Sequence, residues 1–117
     1  MDAVDTPAAV VDLDRLERNL ARWQEYSDRY GLANRPHIKT HKCIEIARMQ
    51  AELGACGITC QKLGEAETMV DAGLDDVLIC FNIVGDSKLE RLAALLRAAR
   101  VAVTADDGAL LPGLGRA

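Results

Sequence analysis

The sequence predicts an α/β fold in which helices pack on a parallel sheet. Three observations carry that prediction. From Arg35 onward, short extended segments alternate with helical stretches at intervals of about twenty residues, as βα units require. Val77-Leu78-Ile79-Cys80-Phe81 is apolar at every position, as expected of a strand with neither face toward water. Half of the residues are hydrophobic but only 3% are aromatic, so the core must be built from Leu, Ile, Val and Ala, a palette suited to helices on a parallel sheet.

Taken in order, Ala8 to Asp12 reads as a short strand introduced by Pro7. Asp14 with Glu17 three residues later forms a capping-box pattern that opens a long helix. Leu16, Leu20, Trp23 and Tyr30 recur at helical spacing, which assigns Trp23 to the core, and Gly31 closes the element. The next strands are expected over 35 to 39, 56 to 60, 77 to 81 and 100 to 104. Between them, Ile44, Ala47 and Ala51, then Leu63, Ala66 and Val70, supply helical stripes that stop at Gly54 and Gly73. Ser87 and Glu90 make a second capping box ahead of Leu89, Leu92, Ala93 and Leu96. The segment from Asp106 begins like another helix and is interrupted by Pro112 and two glycines. Right-handed crossovers between such units give either a doubly wound sheet or consecutive units of a (β/α)8 barrel, and local pattern does not choose between them.

At 117 residues the chain is of single-domain size. Its formal net charge of −4, with both signs interspersed, offers no basic stripe for a phosphate backbone, so no nucleic-acid partner is expected. No apolar run is long enough to cross a bilayer, and the acidic start Met1-Asp2-Ala3-Val4-Asp5 lacks both halves of a signal peptide, so a cytoplasmic location without membrane contact is expected. The four cysteines, at 43, 56, 60 and 80, read as reduced and mostly buried thiols. Cys56 and Cys60 would lie roughly 13 Å apart along a strand, too far to share a zinc ion.

Chemistry concentrates in the octapeptide Arg35-Pro36-His37-Ile38-Lys39-Thr40-His41-Lys42, where a strand gives way to a helix. An amine at such a strand end is partly desolvated, which disfavours its charged form and leaves a nucleophile able to condense with a carbonyl. Lys39 is the candidate. The bland alternative is that these are solvated lysines at a helix start beside an incidental histidine pair. A metal site of His37, His41 and Cys43 is opposed by Pro36 and Ile38, which place His37 in extended chain, off the face that His41 would share.

The chain resembles the D-threonine aldolase, D-serine dehydratase and 3-hydroxy-D-aspartate aldolase family, whose members share a fold-type III pyridoxal-phosphate barrel with alanine racemase. The resemblance rests on Thr6-Pro7-Ala8 with Val11-Asp12-Leu13-Asp14, on the octapeptide, and on the run from Gly57 to Glu67. It continues through Ala72-Gly73, Asp75 to Ile79, Asn82-Ile83-Val84-Gly85 and Val101 to Asp106. It implies that residues 1–117 are the N-terminal half of a pyridoxal-phosphate-binding (β/α)8 barrel of the alanine racemase type, truncated, with the C-terminal β domain absent. Lys39 would then be the lysine that holds pyridoxal 5′-phosphate, and His37 would line the cofactor pocket. Thr59 and Asn82 would fall where barrels place ligand contacts, and Lys42 would be a solvated lysine in the first turn of the following helix.

The implied activity is lyase chemistry on a small D-amino acid: retro-aldol cleavage of a β-hydroxy-D-amino acid to glycine and an aldehyde, or dehydration of the D-serine dehydratase kind. In full-length family members a divalent metal polarises the β-hydroxyl. Its ligands, and the phosphate-binding loops, belong to parts of the family pattern that these residues do not contain, so little turnover is expected of them alone. A homodimer is implied for the full-length form. A complete, non-catalytic small α/β binding module of flavodoxin-like build is the competing reading, and a pyridoxal-phosphate carrier without a second domain is a third.

Overall fold

A computed structural model describes residues 4–117; Met1 to Ala3, which open the acidic start, lie outside the described residues. The chain runs through α1 (Leu13–Arg29), α2 (Ile44–Glu52), β1 (Ile58–Cys60), α3 (Leu63–Asp71), β2 (Asp76–Ile79), α4 (Asp86–Leu96) and β3 (Arg100–Val103). A 3-10 turn over Gly108–Leu110 leads into the short α5 (Leu111–Leu114). The strands are parallel in the order β1-β2-β3, with Ile58 opposite Val77 and Val77 opposite Val101. His37 adds a single parallel bridge to Thr59 outside these strands.

The alternation of the sheet divides its side chains. Ile58, Cys60, Val77 and Ile79 are buried with Leu63, Ala66 and Met69 of α3 and Leu92 and Leu95 of α4, and no aromatic ring enters this core. The opposite face carries Thr59, Leu78 and Cys80, and there Leu78 and Cys80 are only half-buried. The expectation that neither face of 77–81 meets water is therefore corrected. Helices cover one side, and Phe81, beyond the end of β2, is 57% exposed.

At the N-terminal edge a clamp sets the register. Arg35 donates from Nη1 to the Asp76 carbonyl (3.2 Å) and from Nη2 to the Cys56 carbonyl (3.2 Å), and pairs with the Asp76 carboxylate at 2.7 Å. Arg100 approaches the other Asp76 oxygen at 3.3 Å. Gly57 makes this possible. A Cβ there would overlap Arg35 Nη1 and lie 2.6 Å from the Asp76 carbonyl oxygen, and its φ of +140° suits glycine.

Several local expectations give way to longer-range contacts. Ala8 to Asp12 is exposed and unpaired, because no neighbouring strand is present among the described residues to receive its backbone groups. The cap of α1 is Asp12, whose Oδ1 accepts the Arg15 N–H, rather than Asp14. Trp23 is 60% exposed, stacked on Tyr26, which in turn meets Tyr30. The docking face of α1 is instead polar: buried Gln24 accepts from Asn34 and donates to Asp28, and buried Ser27 bonds the Trp23 carbonyl. The Ser87 capping box is not formed, since Gly85, at φ 91°, ends the preceding loop and its carbonyl accepts from Lys88 and Leu89, placing Ser87 inside the first turn. The expected stops at Gly31, Gly54 and Gly73 are found, each with a positive φ.

Candidate active site

Of the strand expected over 35 to 39, only the His37 bridge is ladder-like. Pro36 supplies a carbonyl to the Thr59 N–H (2.8 Å), Ile38 donates to the Thr59 carbonyl (2.9 Å), and the chain then turns over 38–41. Ile38 is fully buried and anchors this turn in the core. The turn closes when the Lys42 N–H reaches the Ile38 carbonyl at 2.8 Å, with Lys42 itself at a φ of 50°. Lys39 thus projects from the carboxyl edge of the sheet, the end at which parallel barrels carry their chemistry.

Lys39 is exposed, which corrects the expected partial desolvation; the face of the sheet beside it is not covered. Its amine takes part in no ion pair among the described residues, where the paired cations are Arg15, Arg35, Lys42, Arg91 and Arg100. Lys42 does not start a helix. It precedes α2, and its amine lies 3.3 Å from Glu65, a carboxylate only 8% exposed. The other Glu65 oxygen accepts the Gln61 N–H at 2.8 Å. Burial opposes ionisation of Glu65, but the Gln61 and Lys42 hydrogen bonds and the positive charges of Lys42 and Lys62 outweigh it, holding the carboxyl below its usual value. Glu65 therefore ties the octapeptide to the end of β1.

The two imidazoles have separate partners. His37 Nδ1 accepts the Lys39 N–H at 3.2 Å, and its Nε2 lies 3.2 Å from Cys80 Sγ. His41 Nδ1 accepts the Cys43 N–H at 3.1 Å, and burial pushes its pKa down. Among the described residues no group of three or more His, Cys, Asp or Glu side chains converges for a metal.

Thr59 is buried and in register with His37, so these two share one face of the sheet, and Lys39 follows in the turn with its backbone N–H on His37. Asn82 stands apart from them. It follows the end of β2, donates from Nδ2 to Asp106 Oδ1, and lines a groove of about 320 Å³ with Lys62, Gly64, Lys88 and Arg91. Cys80 and Glu65 were not singled out from the sequence. Cys80 becomes visible only once strand register is known, because it then falls on the face of His37.

Known proteins resemble this chain in sequence and in fold. Residues 11–111 match the family described as alanine racemase, N-terminal domain. The D-threonine aldolase of an Arthrobacter species is 48% identical over 104 residues, which is 89% of this chain and 27% of that protein. The D-threo-3-hydroxyaspartate dehydratase of Delftia sp. strain HT23 is 51% identical over 75 residues, 64% of this chain and 20% of that protein. Among solved structures, the D-threonine aldolase of Filomicrobium marinum superposes with a TM-score of 0.94 at 48% identity, over 97% of this chain and 31% of that one. The chain thus spans about a fifth to a third of the relatives it matches. These matches place the fold with racemase-type barrels rather than flavodoxin-like sheets. The chain belongs to the alanine racemase N-terminal domain family, and the relatives it resembles within its span are a D-threonine aldolase, a hydroxyaspartate aldolase and a hydroxyaspartate dehydratase.

Proposed function

We propose that residues 1–117 are the lysine-bearing part of a pyridoxal 5′-phosphate-dependent lyase that cleaves a β-hydroxy-D-amino acid to glycine and an aldehyde, the rest of the barrel and a β-rich second domain being supplied by further sequence. The observation that carries the reading is Lys39 itself, exposed, outside every ion pair of the described residues, and set at the carboxyl edge of the sheet with its backbone N–H on the His37 ring. The site fits the cofactor, since a carbonyl can approach that amine from the uncovered face without breaking a salt bridge. When bound, pyridoxal phosphate draws off the electron pair left as a bond to the substrate Cα breaks.

The chain's own residues supply holding and orientation. Lys39 is the point of attachment, Ile38 fixes its turn from the core, and His37 keeps a ring nitrogen on the Lys39 backbone. Thr59 lines the same end of the face, and Asn82 is assigned to the rim, where its groove carries Lys62, Lys88 and Arg91. Ligands for a divalent metal are assigned to sequence outside these residues. The Delftia relative, a dehydratase, supports dehydration as the second reading.

The test takes the intact protein with pyridoxal phosphate, reduces it with borohydride and maps the product by mass spectrometry. A pyridoxyl adduct on Lys39, lost in Lys39→Ala, is the expected result; an adduct on another lysine, or none, overturns the assignment. Incubation with D-threonine then separates the two reactions, because cleavage yields glycine and dehydration yields ammonia with a 2-oxo acid.

A further inference from the structure

Lys39 sits one residue past the last ladder bond of its segment, so its backbone N–H finds no strand partner. Its acceptor is the His37 ring, at Nδ1. A nitrogen that accepts carries no proton, and a neutral ring then keeps its proton on Nε2. That nitrogen is 3.2 Å from Cys80 Sγ. Register explains the meeting: His37 is opposite Thr59 and Thr59 opposite Leu78, so Cys80, two beyond Leu78, returns to the face of His37. The thiol proton in turn has Gln61 Oε1 as acceptor at 3.9 Å. Donation therefore runs one way, from the Lys39 N–H to His37, from His37 to Cys80, and from Cys80 to Gln61.

We propose that Cys80 is a positioning residue for Lys39: by accepting the His37 Nε2 proton it holds the imidazole in one tautomer and one orientation, and the held ring fixes the turn from which Lys39 projects. Two features of the structure require such a device. The turn over 38–41 leaves the sheet and is tied down on one side by Ile38 and on the other by Lys42 and Glu65, while Lys39 between them is exposed. The ring is half-buried, so an Nε2 proton deprived of the sulfur is poorly solvated and the opposite tautomer becomes competitive. In that tautomer Nδ1 is a donor facing a donor, and the Lys39 N–H loses its acceptor. The inference rests on the reading of Lys39 as the cofactor lysine; Cys80 itself touches the imidazole and not the amine.

Three forms of the intact protein, unaltered, Cys80→Ala and Cys80→Ser, labelled with 15N-histidine, test it through two-bond 15N–1H correlation spectra at about pH 8.5, above the ordinary imidazole range. The unaltered protein and the serine variant, which keeps an acceptor, are expected to show His37 protonated at Nε2 alone; the alanine variant is expected to show both tautomers. The rate of pyridoxyl adduct formation at Lys39, trapped with borohydride, should fall about three- to tenfold in Cys80→Ala, the range one lost hydrogen bond implies, and recover in Cys80→Ser. A His37 ring protonated at Nδ1 in the unaltered protein overturns the proposal without reference to any variant. So does an alanine variant that keeps the single tautomer or the full rate. Should no adduct form on Lys39 in the unaltered protein, the lysine-site reading itself fails, whatever the spectra show.

Discussion

Replacing Gly57 by alanine is the sharpest test of how the sheet is held. The added Cβ would overlap Arg35 Nη1 and come to 2.6 Å from the Asp76 carbonyl, so the guanidinium must leave its seat. The φ of +140° adds backbone strain of about 1–3 kcal/mol for a residue with a side chain. Losing the charged hydrogen bonds from Arg35 to the Asp76 and Cys56 carbonyls costs about 1.5–3 kcal/mol. The Arg35–Asp76 ion pair, whose side chains are 25% and 27% exposed, adds less than about 1 kcal/mol. A destabilisation of about 2.5–7 kcal/mol follows, a large share of the roughly 6–18 kcal/mol expected for a chain of this length. Urea unfolding of the two proteins, followed by circular dichroism, measures it. A double-mutant cycle with Arg35→Ala should show strong coupling, because removing the guanidinium removes half of the clash. A Gly57→Ala protein that unfolds within about 1 kcal/mol of the original, or a cycle that is additive, would refute the clamp.

Two further outcomes follow from the titrating groups. Burial holds His41 below the usual imidazole value of 6.5, so the unfolded chain takes up its proton first as pH falls. Its stabilising effect is complete above that value and is lost below it, until the folded-state value is passed; Asn at 41 should flatten this part of a stability–pH profile, and an unchanged slope would show that another group is responsible. Among the free thiols, Cys60 is buried and pushed up to about 12 by burial first and then by the Glu65 and Cys80 charges, whereas Cys56 is exposed. Iodoacetamide at mildly alkaline pH should therefore label Cys56 early and Cys60 only on unfolding, a sequence read directly from peptide masses.

The order of elements was legible because it is written in local chemistry. Strands expected over 56–60 and 77–81 are found over 58–60 and 76–79, and helical stripes such as Leu63 with Ala66 and glycine stops at Gly31, Gly54 and Gly73 appear where period and composition place them. Element ends were less legible. The spacing of Asp14 to Glu17 points to Asp14 as the cap of α1, whereas Asp12 takes that place by accepting the Arg15 N–H. Trp23 shows the limit most clearly. Helical period puts it on an apolar stripe, but periodicity does not say which side of a helix meets the rest of the protein, and α1 docks through Gln24 and Ser27.

The sequence by itself determined the α/β character of this protein, the succession of its βα units and the octapeptide in which Lys39 and His37 sit together, since each depends on residues within a few positions of one another. Only the tertiary structure decided that Cys80 meets His37 across 43 residues, that Lys42 pairs with buried Glu65, and that Lys39 is left exposed on an uncovered face. The physical reason is register. A slip of one residue between parallel strands moves every side chain to the other face, and register is set by contacts such as Arg35 on Asp76 that join distant parts of the chain.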